Sequence, residues 1–282
     1  MDKSWYVVSM FMLTHIGLIL FLYPANIIAS STQGQWIPIM VGVFIHFLLL
    51  FILLKGLDRF PGQDIIAIYQ RAGKLVSFIF LFPVFLYFFM ANIITVRAYS
   101  EVVTIVFLSN TPLGAIMALL LVLSSYLAIK GVEAIFRAGI LLFLFLFPLI
   151  FFILLVSFKN VDWHYVYPLW NKDFSFLTAP SYLQSFFAIG GVFLFLGFIQ
   201  PLIPYQRKYV FLAAAAIFPV FILSVYIPVL TFGEATASKF MFPFIMTVDA
   251  INLTWFMFDR LTMFFYSVLS SLSYCLFHSY YG

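Results

Sequence analysis

The stretch FFAIGGVFLFLGFIQPLIP, residues 186–204, is long and apolar enough to enter a bilayer, yet it carries two adjacent glycines, Gly190 and Gly191, near its middle. Glycine in a helix interior costs about 1 kcal/mol relative to alanine. The pair therefore marks either a close approach of another element or a built-in interruption of a membrane helix. The rest of the chain fixes the setting. Of 282 residues, 65% are hydrophobic, 9% are charged and 39 are phenylalanine, whereas an ordinary soluble domain has about 25% charged residues. Apolar runs of the roughly 20 residues needed to cross about 30 Å of hydrocarbon recur along the sequence. The expected fold class is an all-α polytopic membrane protein, a single transmembrane domain over residues 1–282.

Windows of about 19 residues place about eight spans, at 5–29, 37–54, 75–96, 112–129, 140–158, 182–199, 209–232 and 260–280. No small-residue cleavage site follows the first, so it reads as a retained span and not a secretory signal. Basic residues alternate between sides: Lys55, Arg59, Arg71 and Lys74, then Lys130 and Arg137, then Arg207 and Lys208. Those loops are expected to be cytoplasmic, with the N-terminus on the same side. The opposite loops hold a sparser set, Arg97, Lys159, Lys172, Lys239 and Arg260, amid aromatic segments such as DWHYVYPLW at 162–170. After Pro61-Gly62, the apolar Ile65, Ile66, Ile68 and Tyr69 predict a short amphipathic segment lying along the inner membrane surface. Residues 232–259 suit one or two surface helices on the other side.

The double glycine gains meaning beside the first span, where Gly17 falls at mid-membrane and Pro24 near the outer end. A broken helix frees backbone groups that lipid cannot satisfy, so such breaks persist where they face protein or a wet cavity. Transporters built from inverted repeats place substrate between two such helices. Alternatively, Gly17, Gly190 and Gly191 only permit close packing, as small residues do in membrane interfaces. Charged residues at depth are usually functional. Arg97 and Glu101 are four apart at the outer end of span three and read as a surface ion pair. Glu133 and Arg137 have the same spacing at the cytoplasmic side, where anchoring or gating suits them. Asn92 lies deeper and is a candidate to face a polar cavity. His15 and His46 fall inside spans, where a neutral histidine with one hydrogen-bonded neighbour is the ordinary case. His15 is singled out because it lies beside Gly17. His164 and His278 read as interfacial.

Catalysis finds no support in motif or spacing. Ser270, Ser271 and Ser273 read as helix-packing serines. The single cysteine, Cys275, excludes an internal disulfide and leaves no cysteine cluster for a metal. No basic patch with interleaved aromatics points to nucleic acid, and neither a metal nor a cofactor is expected.

Several local signatures resemble one family. They are HIGLILFLYPANI at 15–27, RFPGQDIIAIYQRAGK at 59–74, RAYSEVV at 97–103 followed by LSNTPLGAI at 108–116, YLAIKGVEAIFRAG at 126–139 and FPFIMTVDAINLTWFMFDRLTMFFYSV at 242–268. The F-P-G-Q and K-G-x-E-x-x-x-R segments are the more distinctive. Along nearly its whole length the chain resembles the spore germination permeases, the B subunits of nutrient germinant receptors, in the amino acid-polyamine-organocation (APC) transporter superfamily. The resemblance implies a LeuT-like inverted-repeat fold, with a first five-helix repeat at about 5–158 and a partial second repeat at about 182–280 that lacks its last helices. It implies a small nutrient, commonly an amino acid, held between spans one, three, six and eight, and association with A and C subunits in the spore inner membrane. Carried onto this sequence, His15, Ile16, Gly17 and Leu18 line the first break, Tyr87, Phe88, Ala91 and Asn92 line span three, and Ile189, Gly190, Gly191 and Val192 line the second break. Phe187 and Phe193 cover the ligand, whose carboxylate meets exposed N–H groups near Gly17. The alternative is a proton- or sodium-coupled amino acid permease; the lack of an obvious Asp, Glu or Lys at depth favours sensing.

Overall fold

The computed structural model describes residues 3–106, 108–168, 174–189 and 191–250, and among these residues it contains helices and no strand. Six segments are long and apolar enough to cross a membrane, and a seventh apolar helix has 17 residues. They coincide with the first seven expected spans. The eighth, at 260–280, lies outside the described residues.

At the centre stands α1 (Ser4–Phe21), in which every residue except Trp5 and Tyr6 is buried. A helix apolar all round belongs either in a core or in lipid, and α1 takes the core. It packs on α2 (Tyr23–Ser30), α7 (Val132–Ser157), α8 (Pro180–Ile189), α10 (Arg207–Phe232) and α12 (Pro243–Asp249). The expected break at Gly17 is corrected here. α1 runs through Gly17 unbroken, and the chain departs from the helix only at Leu22, whose N–H still reaches the Leu18 carbonyl at 2.9 Å. The interruption belongs to Pro24, which has no N–H to return to Leu20 and which starts α2. A lone glycine is tolerated in a packed membrane helix; the chain interrupts just before Pro24, although Pro148 of α7 and Pro219 and Pro228 of α10 are carried inside their helices.

Around this centre run α3 (Trp36–Asp58), α5 (Lys74–Val106) and α6 (Leu113–Ile129). α5 continues past the expected end at Val96, so Arg97 and Glu101 face each other at 2.8 Å on a helix and not at its end. α7 starts at Val132, earlier than the expected 140, which places Glu133 and Arg137 in its first turns as an exposed pair 3.2 Å apart. α5 presents Phe78, Phe82, Phe85 and Phe89 to its surroundings, and contiguous exposed apolar surface of that kind is the lipid-facing pattern of a membrane helix.

The helix ends segregate to two faces. On one, the Gln206 N–H donates to Ser4 Oγ at 2.9 Å, Gln200 Nε2 donates to the Phe60 carbonyl at 2.7 Å, and Arg207 pairs with Asp58. On the other, the Trp36 N–H donates to Tyr226 Oη at 3.2 Å and the Asp162 N–H to the Leu230 carbonyl at 2.9 Å. The chain thus crosses back and forth between the faces, as the alternation of basic loops requires. Among the described residues two helices follow α10, namely α11 (Glu234–Ala237) and α12, but α12 is no surface helix. Pro243, Phe244, Ile245, Thr247 and Val248 are buried against α1, α7 and α10, because this segment spends its apolar clusters on the bundle.

Candidate functional site

The interruption foreseen at the double glycine is present. α8 ends at Ile189, Gly191 follows with φ −125° and ψ −22°, a short 3₁₀ turn covers Val192–Phe195, and the helix resumes as α9 (Leu196–Ile199). Gly190 lies outside the described residues. The last carbonyls of α8 have no partner within their own helix, and side chains from neighbouring helices reach in to meet them. His46 of α3 donates from Nδ1 to the Ile189 carbonyl at 2.6 Å, and Tyr87 of α5 donates its hydroxyl to the Phe187 carbonyl at 3.2 Å. Below the break, Tyr205 donates to the Leu196 carbonyl at 3.2 Å. The break is therefore held open by its neighbours and filled by them.

Two glycines make that filling possible. A Cβ on Gly191 would stand 2.1 Å from Tyr87 Cζ, so only glycine admits the tyrosine ring. A Cβ on Gly197 would stand 2.0 Å from Ile65 Cδ1. Ile65 opens α4 (Ile65–Gln70), which Asp64 caps by accepting the Ala67 N–H at 2.6 Å. The amphipathic segment expected to lie on the membrane surface thus also plugs the lower half of the broken helix, burying Ile65 against α9. Gly197→Ala is expected to push Ile65 out and loosen α4, and Ile65→Ala in the same chain is expected to restore it. Protease accessibility of the 59–73 loop reads both outcomes, and equal cleavage of Gly197→Ala and the parent would dismiss the plug.

Next to the break lies a buried histidine pair. The His15 and His46 rings are 5.2 Å apart at 72°, with Phe11 4.1 Å from His15 and Phe193 5.4 Å from His46. His15 is fully buried, and its Nδ1 faces the Phe11 carbonyl at 2.8 Å. A carbonyl only accepts, so in both rings Nδ1 carries the proton, and a neutral ring then offers Nε2 as an acceptor. His15 Nε2 is buried and has no hydrogen-bond partner among the described residues. No carboxylate pairs with either ring there.

The expected lining residues divide accordingly. Tyr87, Phe187 and Gly191 meet at the break, and His15 joins Phe193 and Ile189 through His46. Ile16, Leu18 and Val192 are buried core, and Gly17 exposes no N–H, being inside α1. Phe88 turns its ring edge to Phe198 at 5.9 Å, below the break. Ala91 is buried and Asn92 half-buried one turn along α5, and no hydrogen bond of Asn92 reaches the break among the described residues. His46 is the buried histidine with one hydrogen-bonded neighbour that its place in a span suggests, but sequence reasoning did not identify that neighbour as the Ile189 carbonyl at the break. That reasoning also missed Gly42, where the Tyr23 and Tyr182 hydroxyls approach within 3.9 and 3.7 Å of an added Cβ.

The comparisons with known proteins bear on this geometry. A family model described as spore germination protein matches residues 3–281. The chain is 26% identical over 263 residues to Spore germination protein KB of Bacillus subtilis (strain 168), an alignment covering 91% of this chain and 69% of that protein. It is 26% identical over 199 residues to Spore germination protein B2 of the same organism, covering 69% of this chain and 52% of that protein. The chain thus spans between about half and just over two thirds of these relatives' lengths.

Proposed function

From the premise that the chain belongs to the spore germination protein family, we propose that it is a membrane subunit of a nutrient germinant receptor. It binds a small nutrient, an amino acid by preference, between the interrupted first and sixth spans and passes the resulting movement to A- and C-type subunits. It acts in the spore inner membrane with its N-terminus in the cytoplasm, and its fold is a LeuT-like inverted repeat with interruptions at Leu22 and at Gly191.

The observation that carries this reading is the way the sixth-span break is satisfied. The Phe187 and Ile189 carbonyls are held by Tyr87 and His46, which belong to α5 and α3. A ligand ammonium group is a stronger donor than a phenol or a neutral imidazole, so it competes for the same carbonyls. Success releases two helices at once. That is a switch: ligand binding exchanges a protein contact for a ligand contact and so favours a second arrangement by the difference in affinity. His15 Nε2, a buried acceptor without a donor, gives the same ammonium group a second partner. Amino acid binding to the purified full chain tests the proposal. Binding is expected for ligands with a free ammonium group and lost for their N-acetyl forms, and equal binding of the two forms would refute it.

A second reading, the coupled permease, draws on a specific observation too. His15 and His46 together put titratable side chains at span depth, which a proton-coupled carrier needs. Uptake into proteoliposomes separates the two. Accumulation driven by a pH gradient favours the carrier, and binding without accumulation favours the receptor.

A further inference from the structure

On the flank of α5 away from the break, a groove of about 600 Å³ runs from the α4–α5 turn onto the exposed face of α5. Its floor is aromatic: Phe78 and Phe82 stack at 5.3 Å, and Phe85 continues the row. Its end at the α4–α5 turn is polar. Gln70 ends α4, Lys74 starts α5, and Ser77 stands one turn further in. None of these three side chains has a hydrogen-bond or ion-pair partner among the described residues. Ser77 is only 8% exposed and its Oγ is buried without a partner, which leaves a hydroxyl waiting for an acceptor.

We propose that this groove binds one anionic phospholipid. The phosphate sits on Lys74 Nζ and Gln70 Nε2, the Ser77 hydroxyl rotates outward to meet it, and an acyl chain lies along Phe78, Phe82 and Phe85. Charge complementarity selects this occupant. The groove joins an uncompensated cation and unpaired donors to an apolar track spanning two turns, about 10 Å at 1.5 Å per residue, and a free phosphate would leave that track unused. Lys55, Arg59 and Arg71 lie toward the same end of the bundle, and basic pockets at that depth are where membrane proteins hold acidic headgroups. The site is independent of the nutrient-binding break, so neither reading depends on the other.

The test is native mass spectrometry of the full chain released from nanodiscs containing phosphatidylglycerol and phosphatidylcholine in equal amounts. One phosphatidylglycerol is expected to be retained in preference. Lys74→Gln is expected to lower retention about fivefold, in line with the contribution of one basic residue at an acidic membrane surface. Adding Ser77→Val lowers it further, and Lys74→Arg preserves it. Excess inorganic phosphate is expected to leave the lipid in place. Equal retention of both lipids, or displacement by inorganic phosphate, would overturn the assignment. So would near-complete disulfide formation between Cys275 and a cysteine at Phe82→Cys, because the groove would then be covered by the chain's own 260–280 run.

Discussion

Gly191→Ala is expected to destabilise the protein by about 1–3 kcal/mol, the usual range for overpacking a filled interior, and to abolish the response to nutrient. The added methyl would stand 2.1 Å from Tyr87 Cζ and 2.3 Å from its hydroxyl oxygen. A phenol ring has no flexible end that can give way. Tyr87 must swing out of the break, and in doing so it abandons the Phe187 carbonyl it now holds at 3.2 Å and the Phe187 ring at 5.8 Å. The cost is therefore steric strain plus one unpaired buried carbonyl. Tyr87→Ala in the same chain is expected to recover the strain and not the hydrogen bond, so the two substitutions together should be milder than their sum. Thermal unfolding in detergent measures the stability, and nutrient-triggered germination of spores carrying the variant measures the response. A Gly191→Ala protein that melts and responds like the parent would mean that Tyr87 does not occupy the break.

The membrane helices were legible because composition and run length act on every residue at once. The first seven spans and the interruption at Gly191 follow from apolar length and from paired glycines, which are local signals. Gly17 shows where such reasoning fails. Taken alone, a glycine in a span says only that a side chain is missing, whereas the nearby Pro24 removes a hydrogen bond outright. The break follows the proline. α5 and α7 outrun their expected ends because Arg97, Glu101, Glu133 and Arg137 form i,i+4 pairs that a helix welcomes, while a hydropathy window stops at the first charge. The burial of α12 and the docking of Ile65 at Gly197 depend on segments far apart in sequence, and no local pattern encodes them. Of the expected lining residues, Tyr87, Phe187 and Gly191 do meet one another, because each lies at or opposite the glycine pair, whereas the donor to Ile189 comes from a different helix and carries no local signal.

That donor and its neighbour yield the sharpest contrast. His46→Phe removes the 2.6 Å bond to the Ile189 carbonyl and leaves an acceptor buried at a helix break, a loss of about 1–3 kcal/mol. His15→Phe removes a different kind of group. The Phe11 carbonyl that His15 Nδ1 faces lies in the interior of α1, where the helical ladder serves it without the ring. The Nε2 atom has no partner to lose, and a benzene ring keeps the ring contact with Phe11. The expected change in stability for His15→Phe is within about 1 kcal/mol of zero, since replacing an unsatisfied buried polar atom by an apolar one relieves a desolvation cost that offsets the crowding of a larger ring. Nutrient affinity should nonetheless fall about tenfold or more, the scale of one hydrogen bond to a charged group. Melting temperature and ligand titration on the same two preparations decide the matter. If His15→Phe binds amino acids as the parent does, the orphaned Nε2 plays no part in recognition, and the ammonium group has only the carbonyls of the broken helix to meet.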